Sequence, residues 1–216
     1  MKLYQFAYSP FAAKVRKCLE WKRLPFDVVE VPYLDRRELI HVTGGSVHVP
    51  VLVDGNLVVS DSARITAYLD ESYRPSLRPG HLCGPAVVME QWADGPLEDV
   101  AFRLAAPRVE RQMAAWNGGR EDAAAMYRVI KERKFGAGCL DAWRAAEEEL
   151  SARLSSLLAP LAATLALTPF LLGEHPTVGD AAVWGNLYMI EAVWPGRVRE
   201  LERPIAEWYA RASEAR

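Results

Sequence analysis

The sequence contains little cysteine and no long apolar run, and each absence narrows the class of protein. Its three cysteines, Cys18, Cys83 and Cys139, lie far apart and match neither a disulfide framework nor the spacing of metal ligands. No uncharged apolar run reaches the roughly 18 residues that a membrane span needs, and the opening "MKLYQF" lacks the apolar stretch of a signal peptide. We therefore expect a cytoplasmic protein with no bound metal and no membrane partner.

Blocks of one charge sign are also missing. The chain has 26 Lys and Arg against 28 Asp and Glu, a formal net charge of −2, and no run of like charges that suggests a binding tail. A protein that binds nucleic acid ordinarily carries a basic patch or stripe. We therefore expect no nucleic-acid partner.

The first third of the chain alternates strand and helix patterns. Residues 2–8 and 26–31 indicate strands, with apolar residues at helical spacing between them, and residues 35–42 indicate a weak helix. Two short apolar runs then flank Asp54-Gly55-Asn56, the strongest hairpin signal in the chain, and a helix opens at Ser60-Asp61-Ser62. The predicted order is β-α-β-α-β-β-α.

The rest of the chain carries only helix patterns. Pro and Gly crowd residues 74–85, and Ala, Leu, Glu and Arg dominate beyond them. We predict an α/β domain at 1–76, a linker at 77–85 and an all-helical domain at 86–216. Gly95-Pro96 and Pro107 interrupt the first helix of the second domain, and the sequence leaves open whether this helix is kinked or split.

Ser9-Pro10 marks the start of the first helix. A Ser at the N-cap accepts a hydrogen bond from an unpaired backbone N–H, and a Pro at the first helical position gives up no bond. A hydroxyl at a helix N-terminus, where a strand ends, is also well placed to stabilise an anion. Ser9 is therefore a cap, an anion ligand, or both.

Four local patterns make the chain resemble the cytosolic glutathione transferases, which join a thioredoxin-like α/β domain to an all-α domain. The first, Ser9-Pro10-Phe11, is similar to the Ser-Pro-Phe of serine-type transferases. It implies that Ser9 stabilises the thiolate of glutathione and that Phe11 contacts the same molecule. Tyr8 competes with Ser9, because tyrosine-type transferases carry their catalytic Tyr two positions before a Pro. The stretch also overlays the Cys-Pro-x-Cys of glutaredoxins without either sulfur, so we expect no dithiol exchange there.

The second pattern, Val49-Pro50 before a strand, resembles the cis-proline signature of thioredoxin-like folds. The resemblance implies a cis peptide bond and implies that the backbone of Val49 pairs with the cysteinyl backbone of glutathione, as a strand edge does. His48 is the one histidine that the resemblance places near glutathione. Upstream the chain departs from the family, because "TGGSVHVP" stands where an Asn-Pro is usual.

The third and fourth patterns lie at helix starts. Asp61-Ser62 is similar to the acidic-Ser pair with which the family holds the γ-glutamyl group of glutathione. The resemblance implies that the γ-glutamyl carboxylate lies at the helix N-terminus and that the γ-glutamyl ammonium faces Asp61. Both residues are also ordinary helix caps, which is the alternative interpretation. Thr177 and Asp180 resemble the capping box of the family's sixth helix, which has a structural role.

The resemblance implies a homodimeric detoxification enzyme that uses glutathione as co-substrate and conjugates it to a hydrophobic electrophilic small molecule. Residues of the first C-terminal helix, such as Trp92 or Phe102, would line the electrophile pocket. Two alternatives stay open: a non-catalytic binding or regulatory protein of the same fold, and a glutathione-dependent isomerase, ether lyase or dehalogenase. The sequence does not name the electrophile.

Overall fold

The first domain is a mixed four-stranded sheet with three helices, in the predicted order. The computed structural model describes residues 1–214. The elements of this domain are β1 (Lys2–Gln5), α1 (Pro10–Trp21), β2 (Asp27–Glu30), α2 (Arg37–Thr43), β3 (Val51–Asp54), β4 (Leu57–Ser60) and α3 (Ser62–Ser72). The strand order is β2-β1-β3-β4, with β1 parallel to β2 and antiparallel to β3. This is the thioredoxin-like arrangement that the resemblance implies.

Turn chemistry explains two boundaries of the sheet. Asp54 pairs with Leu57 across the hairpin, and Gly55 adopts a positive φ of 57°, as a tight two-residue connection requires. Strand β1 ends at Gln5, earlier than the aromatic run predicts, because the Ser9 N–H donates to the Phe6 carbonyl at 2.9 Å and turns the chain into α1. The N-terminus of α1 therefore lies directly beside the end of β1.

The second domain is helical throughout. Its helices are α4 (Cys83–Trp92), α5 (Glu98–Trp116), α6 (Glu121–Phe135), α7 (Cys139–Ala145), α8 (Glu147–Leu165), α9 (Val178–Val193) and α10 (Arg203–Glu214). Short 3₁₀ turns lie at Gly80–Leu82 and Arg197–Glu200. Helix α4 begins inside the predicted linker, since Pro85 falls in the first turn, where its missing N–H has no intrahelical partner to lose. No helix within residues 1–214 is both long and apolar enough to span a membrane.

The first helix of this domain is neither split nor simply kinked. A π-helical segment at Ala93–Leu97 joins α4 to α5, and it contains both Gly95 and Pro96. A proline removes one backbone donor, and the wider π turn accommodates this loss without ending the helix. Pro107 lies inside α5, which continues through it.

Helices α1 and α9 hold the two domains together, and they pack more extensively than any other pair of described elements. Gly185 of α9 makes this approach possible. A methyl group there would lie 2.5 Å from the carbonyl oxygen of Pro10 and 3.0 Å from the backbone nitrogen of Lys14. The predicted capping box starts α9: the Asp180 carboxylate accepts from the Thr177 N–H at 2.9 Å. One continuous apolar core runs through both domains.

A buried ion network crosses the same interface. The carboxylate of Glu90 on α4 accepts from Lys14 of α1 at 3.0 Å, from Thr66 of α3 at 3.0 Å and from Arg78 at 2.7 Å. Lys14 also pairs with Asp94 in the π segment. The side chains of Lys14 and Glu90 are each 1% exposed. Such a network is tolerated in the interior because each charge has an opposite partner and further hydrogen bonds.

We expect Gly185→Ala to lower the free energy of unfolding by about 1 to 3 kcal/mol, the usual cost of overpacking a core. The added methyl group meets backbone atoms of α1, which cannot rotate away. Denaturant unfolding followed by circular dichroism measures the loss. Gly80→Ala in the first 3₁₀ turn is the control, because nothing lies within 4 Å of its methyl position and its φ is not positive. It should be neutral or stabilising by up to about 1 kcal/mol. Equal losses in both variants would contradict a constraint at Gly185.

Candidate active site

One cavity of about 520 Å³ brings together all six residues that the sequence assigns to substrate binding. These are Phe11, His48, Val49, Pro50, Asp61 and Ser62. They come from the start of α1, the segment before β3 and the start of α3. The second domain closes the cavity with Gln91 of α4 and Asp94 of the π segment. We call this space the interdomain cavity.

Val49 presents an unused strand edge to the interdomain cavity. The Val49-Pro50 peptide bond is cis, which confirms that prediction; a second cis bond, Arg74-Pro75, was not predicted. Within residues 1–214, neither the N–H nor the carbonyl of Val49 has a hydrogen-bond partner. A half-buried backbone with both groups unpaired can accept a peptide-like ligand as an added strand.

Asp61 caps α3 from a strained backbone conformation. Its Oδ1 accepts from the N–H groups of Ala63 at 3.0 Å and Arg64 at 3.1 Å, so it acts as the expected N-cap. Its φ is +78° with ψ 129°, a region that residues other than glycine rarely occupy. Strain of this kind persists where the surrounding structure fixes it, and it is commonest at functional sites.

Ser62 lies at the first position of α3 and is buried. Its hydroxyl has no hydrogen-bond partner within the described residues, and the N–H groups of the first helical turn carry the positive end of the helix dipole. The positive end of α3 can therefore hold the carboxylate of a ligand, while the negative side chain of Asp61 can hold an ammonium group. A zwitterionic group, which carries both charges, fits the start of α3.

Ser9 caps α1, and its hydroxyl can also donate a hydrogen bond to another partner. It is 7% exposed, and its Oγ accepts from the Ala12 N–H at 3.3 Å. A hydroxyl that accepts in this way keeps its own proton for another partner. No acidic residue occupies the first turn of α1 to offset the positive end of that helix. Ser9 does not line the interdomain cavity itself, although Phe11, two residues on, does.

Tyr8 opens on a second space, which we call the aromatic cleft. This cleft of about 440 Å³ is lined by the β1–α1 turn, the segment after β2 and the end of α5. The ring of Tyr8 stacks between Phe6 at 5.7 Å and Trp116 at 5.3 Å. Burial raises the pKa of Tyr8 well above its ordinary value, so its phenol stays protonated at neutral pH. Tyr8 can donate a hydrogen bond but cannot act as a base.

Helix α5 contributes two residues to the aromatic cleft. Met113 and Trp116 near the C-terminal end of α5 line it, whereas Trp92 and Phe102 do not. Phe102 instead lies 4.9 Å from the Lys131 ammonium, which is also 4.8 Å from the ring of Tyr127. The Tyr127 ring makes an edge contact with Tyr8 at 6.4 Å. Helical spacing shows which residues share a face, but not how far along the helix the cleft lies.

Two charged groups on α5 and α6 have strongly shifted pKa values. Burial raises the pKa of Glu98 to about 7, and burial lowers the pKa of Lys131 to about 8. Both shifts favour the neutral form, as expected where water is largely excluded. The sequence pattern predicts neither burial, because a charge on a helix ordinarily faces solvent. Within residues 1–214, no group of three His, Cys, Asp or Glu side chains could hold a metal ion.

Family models match both domains. Residues 3–77 match "Glutathione S-transferase, N-terminal domain", and residues 140–211 match "Glutathione S-transferase, C-terminal domain". Glutathione S-transferase Z1 of Arabidopsis thaliana is 37% identical over 94 residues, 40% of this chain and 41% of that protein. Prostaglandin E synthase 2 of Danio rerio is 36% identical over 69 residues, 32% of this chain and 18% of that protein. These matches span less than half of each curated relative.

Solved structures resemble the chain over nearly its whole length. A glutathione transferase of Phanerochaete chrysosporium has a TM-score of 0.82 at 19% identity, covering 100% of this chain and 96% of that one. A glutathione S-transferase of Ceriporiopsis subvermispora in complex with glutathione has a TM-score of 0.80 at 22% identity, covering 99% and 96%. At these identities the likeness establishes the fold.

We expect Asp61→Ala to cost about 0.5 to 2 kcal/mol of stability, because it removes the acceptor that caps α3. Asp61→Asn keeps an acceptor oxygen at the same place and should change stability by less than about 0.5 kcal/mol. Chemical denaturation of the two variants measures the difference. If Asp61→Asn is as unstable as Asp61→Ala, charge rather than capping explains the effect of Asp61 on folding.

Proposed function

Because the chain belongs to the glutathione S-transferase family, with both family domains matched, we propose that it binds reduced glutathione and conjugates it to an electrophilic small molecule. The observation that carries this proposal is the interdomain cavity, where six residues from three separate segments meet as the resemblance implies. Glutathione is the co-substrate, with its γ-glutamyl end at the start of α3 and its cysteine beside Val49.

The cavity offers complementary groups for the two ends of the γ-glutamyl-cysteinyl unit. The unpaired N–H and carbonyl of Val49 suit the cysteinyl backbone, which carries one acceptor and one donor. Ser62 and the positive end of α3 suit the γ-glutamyl carboxylate, and Asp61 suits the ammonium. Both contacts are made to parts of glutathione that do not react, so they supply binding energy.

The thiol of glutathione requires an interaction that favours its deprotonated form, because the thiolate is the nucleophile. Lowering a thiol pKa from about 8.5 by two units needs roughly 2.7 kcal/mol of preference for the thiolate. A hydrogen bond to a charged partner supplies roughly 1.5 to 3 kcal/mol, and a helix N-terminus adds about 0.3 to 1 kcal/mol. Ser9 at the N-terminus of α1 combines the two. The hydroxyl acts as a donor and not as a nucleophile, since glutathione brings its own sulfur.

The aromatic cleft is our candidate for the electrophile site. Its stacked rings, from Phe6 through Tyr8 to Trp116, favour an apolar and planar molecule. Tyr8 precedes Ser9 directly, so the cleft begins beside the thiolate donor. The phenol of Tyr8 remains the competing donor to the sulfur.

A glutathione-affinity column provides the first test. We expect the protein to bind immobilised glutathione and to be eluted by free glutathione. We also expect it to conjugate glutathione to at least one member of a panel of aryl halides, enones and epoxides.

Retention on the column without turnover of any member of the panel would favour a non-catalytic binding protein of the same fold. Turnover by isomerisation, ether cleavage or dehalogenation would favour the other glutathione-dependent reactions. Failure to be retained would contradict glutathione binding. Roles in cytoplasmic detoxification and as a homodimer belong to the same proposal.

We expect Ser9→Ala to raise the pKa of the bound glutathione thiol by roughly one to two units and to slow turnover at neutral pH about 10- to 100-fold. The variant should also lose about 0.5 to 2 kcal/mol of stability, because the Ser9 hydroxyl no longer caps α1. Titration of the ultraviolet absorbance of the bound thiolate measures the pKa directly.

Tyr8→Phe is the matched control for Ser9, because it removes the competing phenol and keeps the ring in its stack. We expect the thiol pKa of this variant to stay close to that of the unmodified protein. If the Tyr8 variant shows the raised pKa and the Ser9 variant does not, Tyr8 is the thiolate donor and Ser9 is only a cap.

A further inference from the structure

A further cavity, of about 600 Å³, lies where the segment between the two domains meets the loop before α9. Its walls are the end of α1, residues 75–82 and residues 172–176. Within residues 1–214, it shares no lining residue with the interdomain cavity or the aromatic cleft. Its volume is in the range of pockets that enclose a small organic molecule. We call it the linker cavity.

The lining of the linker cavity is mostly apolar. The indole ring of Trp21, the last residue of α1, forms part of it and is 7% exposed. Three leucines and three prolines supply most of the remaining surface: Leu77, Leu82, Leu172, Pro75, Pro79 and Pro176. Removing the apolar body of a ligand from water is therefore the main source of affinity that this cavity offers.

The Trp21 indole adds a polar requirement to this apolar lining. Its Nε1–H is buried and has no hydrogen-bond partner within residues 1–214. The hydroxyl of Ser76, another lining group, is already used, because it donates to Asp70 at 2.8 Å and accepts from the Arg78 N–H at 3.1 Å. A buried donor without a partner is rare in native proteins, and a buried tryptophan N–H usually finds an acceptor. A ligand oxygen would supply that acceptor.

The rim of the linker cavity favours a neutral ligand. Its exposed polar side chains are Glu174, His81 and His175, and in the part of the chain that the structure describes no lysine or arginine lines the cavity. A carboxylate at the rim repels an anion, and histidine is only a weak cation at neutral pH. A cation is no better suited, because the unpaired group of Trp21 is itself a donor.

Hydrogen bonds hold the walls of the linker cavity in place. Lys22, directly after α1, donates to the carbonyl of Pro75 at 2.5 Å. The Leu77 N–H donates to Asp70 of α3 at 2.6 Å, and the Leu77 carbonyl accepts from the N–H of Val178, the first residue of α9, at 2.9 Å. The segment between the domains is thus fixed to three helices. A ligand would enter a preformed cavity and lose little affinity to ordering it.

We propose that the linker cavity is a second ligand site, which takes a neutral and largely apolar molecule whose carbonyl oxygen accepts from Trp21 Nε1–H. This site goes beyond the proposed function, since it needs neither glutathione nor the aromatic cleft. Its ligand would contact the end of α1, the segment between the domains and the loop before α9 together. The cavity would therefore bind across the junction of the two domains.

Nuclear magnetic resonance of the ¹⁵N-labelled unmodified protein tests the place of binding. The probe is 1-tetralone, a neutral bicyclic ketone, and the Trp21 indole signal is assigned from triple-resonance spectra. We expect 1-tetralone to move this signal downfield, as a new hydrogen bond does, and further than the signals of the other six tryptophans. Tetralin has the same ring system without the oxygen, and it should produce no downfield shift of the Trp21 signal.

Calorimetric titration of variants then isolates the hydrogen bond. Trp21→Phe removes the N–H and keeps an aromatic ring, so it should weaken 1-tetralone about 3- to 10-fold more than it weakens tetralin. Trp194→Phe is the matched control, because this ring lies 3.6 Å from the Arg108 guanidinium and outside the linker cavity. It should change neither affinity. On the unmodified protein, tetrahydro-2-naphthoate, an anion of similar shape, should bind at least tenfold more weakly than 1-tetralone.

Four results would overturn the proposal. The first is a Trp21 signal that stays in place while signals elsewhere move with 1-tetralone. The second is equal weakening of 1-tetralone and tetralin by Trp21→Phe, which would mean that only ring packing matters. The others are binding of the naphthoate as tight as that of the ketone, and no binding of any of the three probes. If Trp21→Phe does not fold, the Trp21 signal of the unmodified protein still decides between 1-tetralone and tetralin.

Discussion

One buried carboxylate, that of Glu90, fixes how the two domains meet. It accepts from Lys14, Thr66 and Arg78, which belong to α1, α3 and the segment between the domains. A buried charge network of this kind adds little net stability over apolar packing, but removing one member leaves an unpaired charge in the interior. Its effect is therefore mainly on geometry. Because Lys14 also holds Asp94, the wall of the interdomain cavity in the second domain is set by the same contact.

The start of α1 lies between two spaces of different character. Phe11 lines the interdomain cavity, which contains polar and charged groups. Tyr8 lines the aromatic cleft, which contains stacked rings. Ser9 lies between these two residues at the positive end of the helix. A polar co-substrate and an apolar one can thus approach the same short segment from two sides. This separation follows from the turn at Phe6–Ser9, which ends β1 early.

Local signals in the sequence predicted most of the fold, and long-range contacts account for what was missed. The hairpin at Asp54-Gly55 and the capping box at Thr177 and Asp180 depend on residues within three positions of each other, and all were predicted. Asp94 was missed because its burial depends on Lys14, 80 residues away, and an acidic residue on a helix ordinarily faces solvent. The π segment likewise had no local signal beyond Gly95-Pro96, which equally fits a kink or a break.

The close packing of α1 on α9 also has a consequence for synthesis of the chain. Helix α1 belongs to the first 77 residues, but its covering partner spans Val178–Val193. On a ribosome that adds about 5 to 20 residues per second, the first domain waits on the order of ten seconds before that partner exists. During this interval the face of α1 that packs on α9 lacks its cover, although Glu90 and Asp94, the ion partners of Lys14, follow the first domain within about 17 residues. The nascent first domain therefore exposes this face of α1 until α9 has been made.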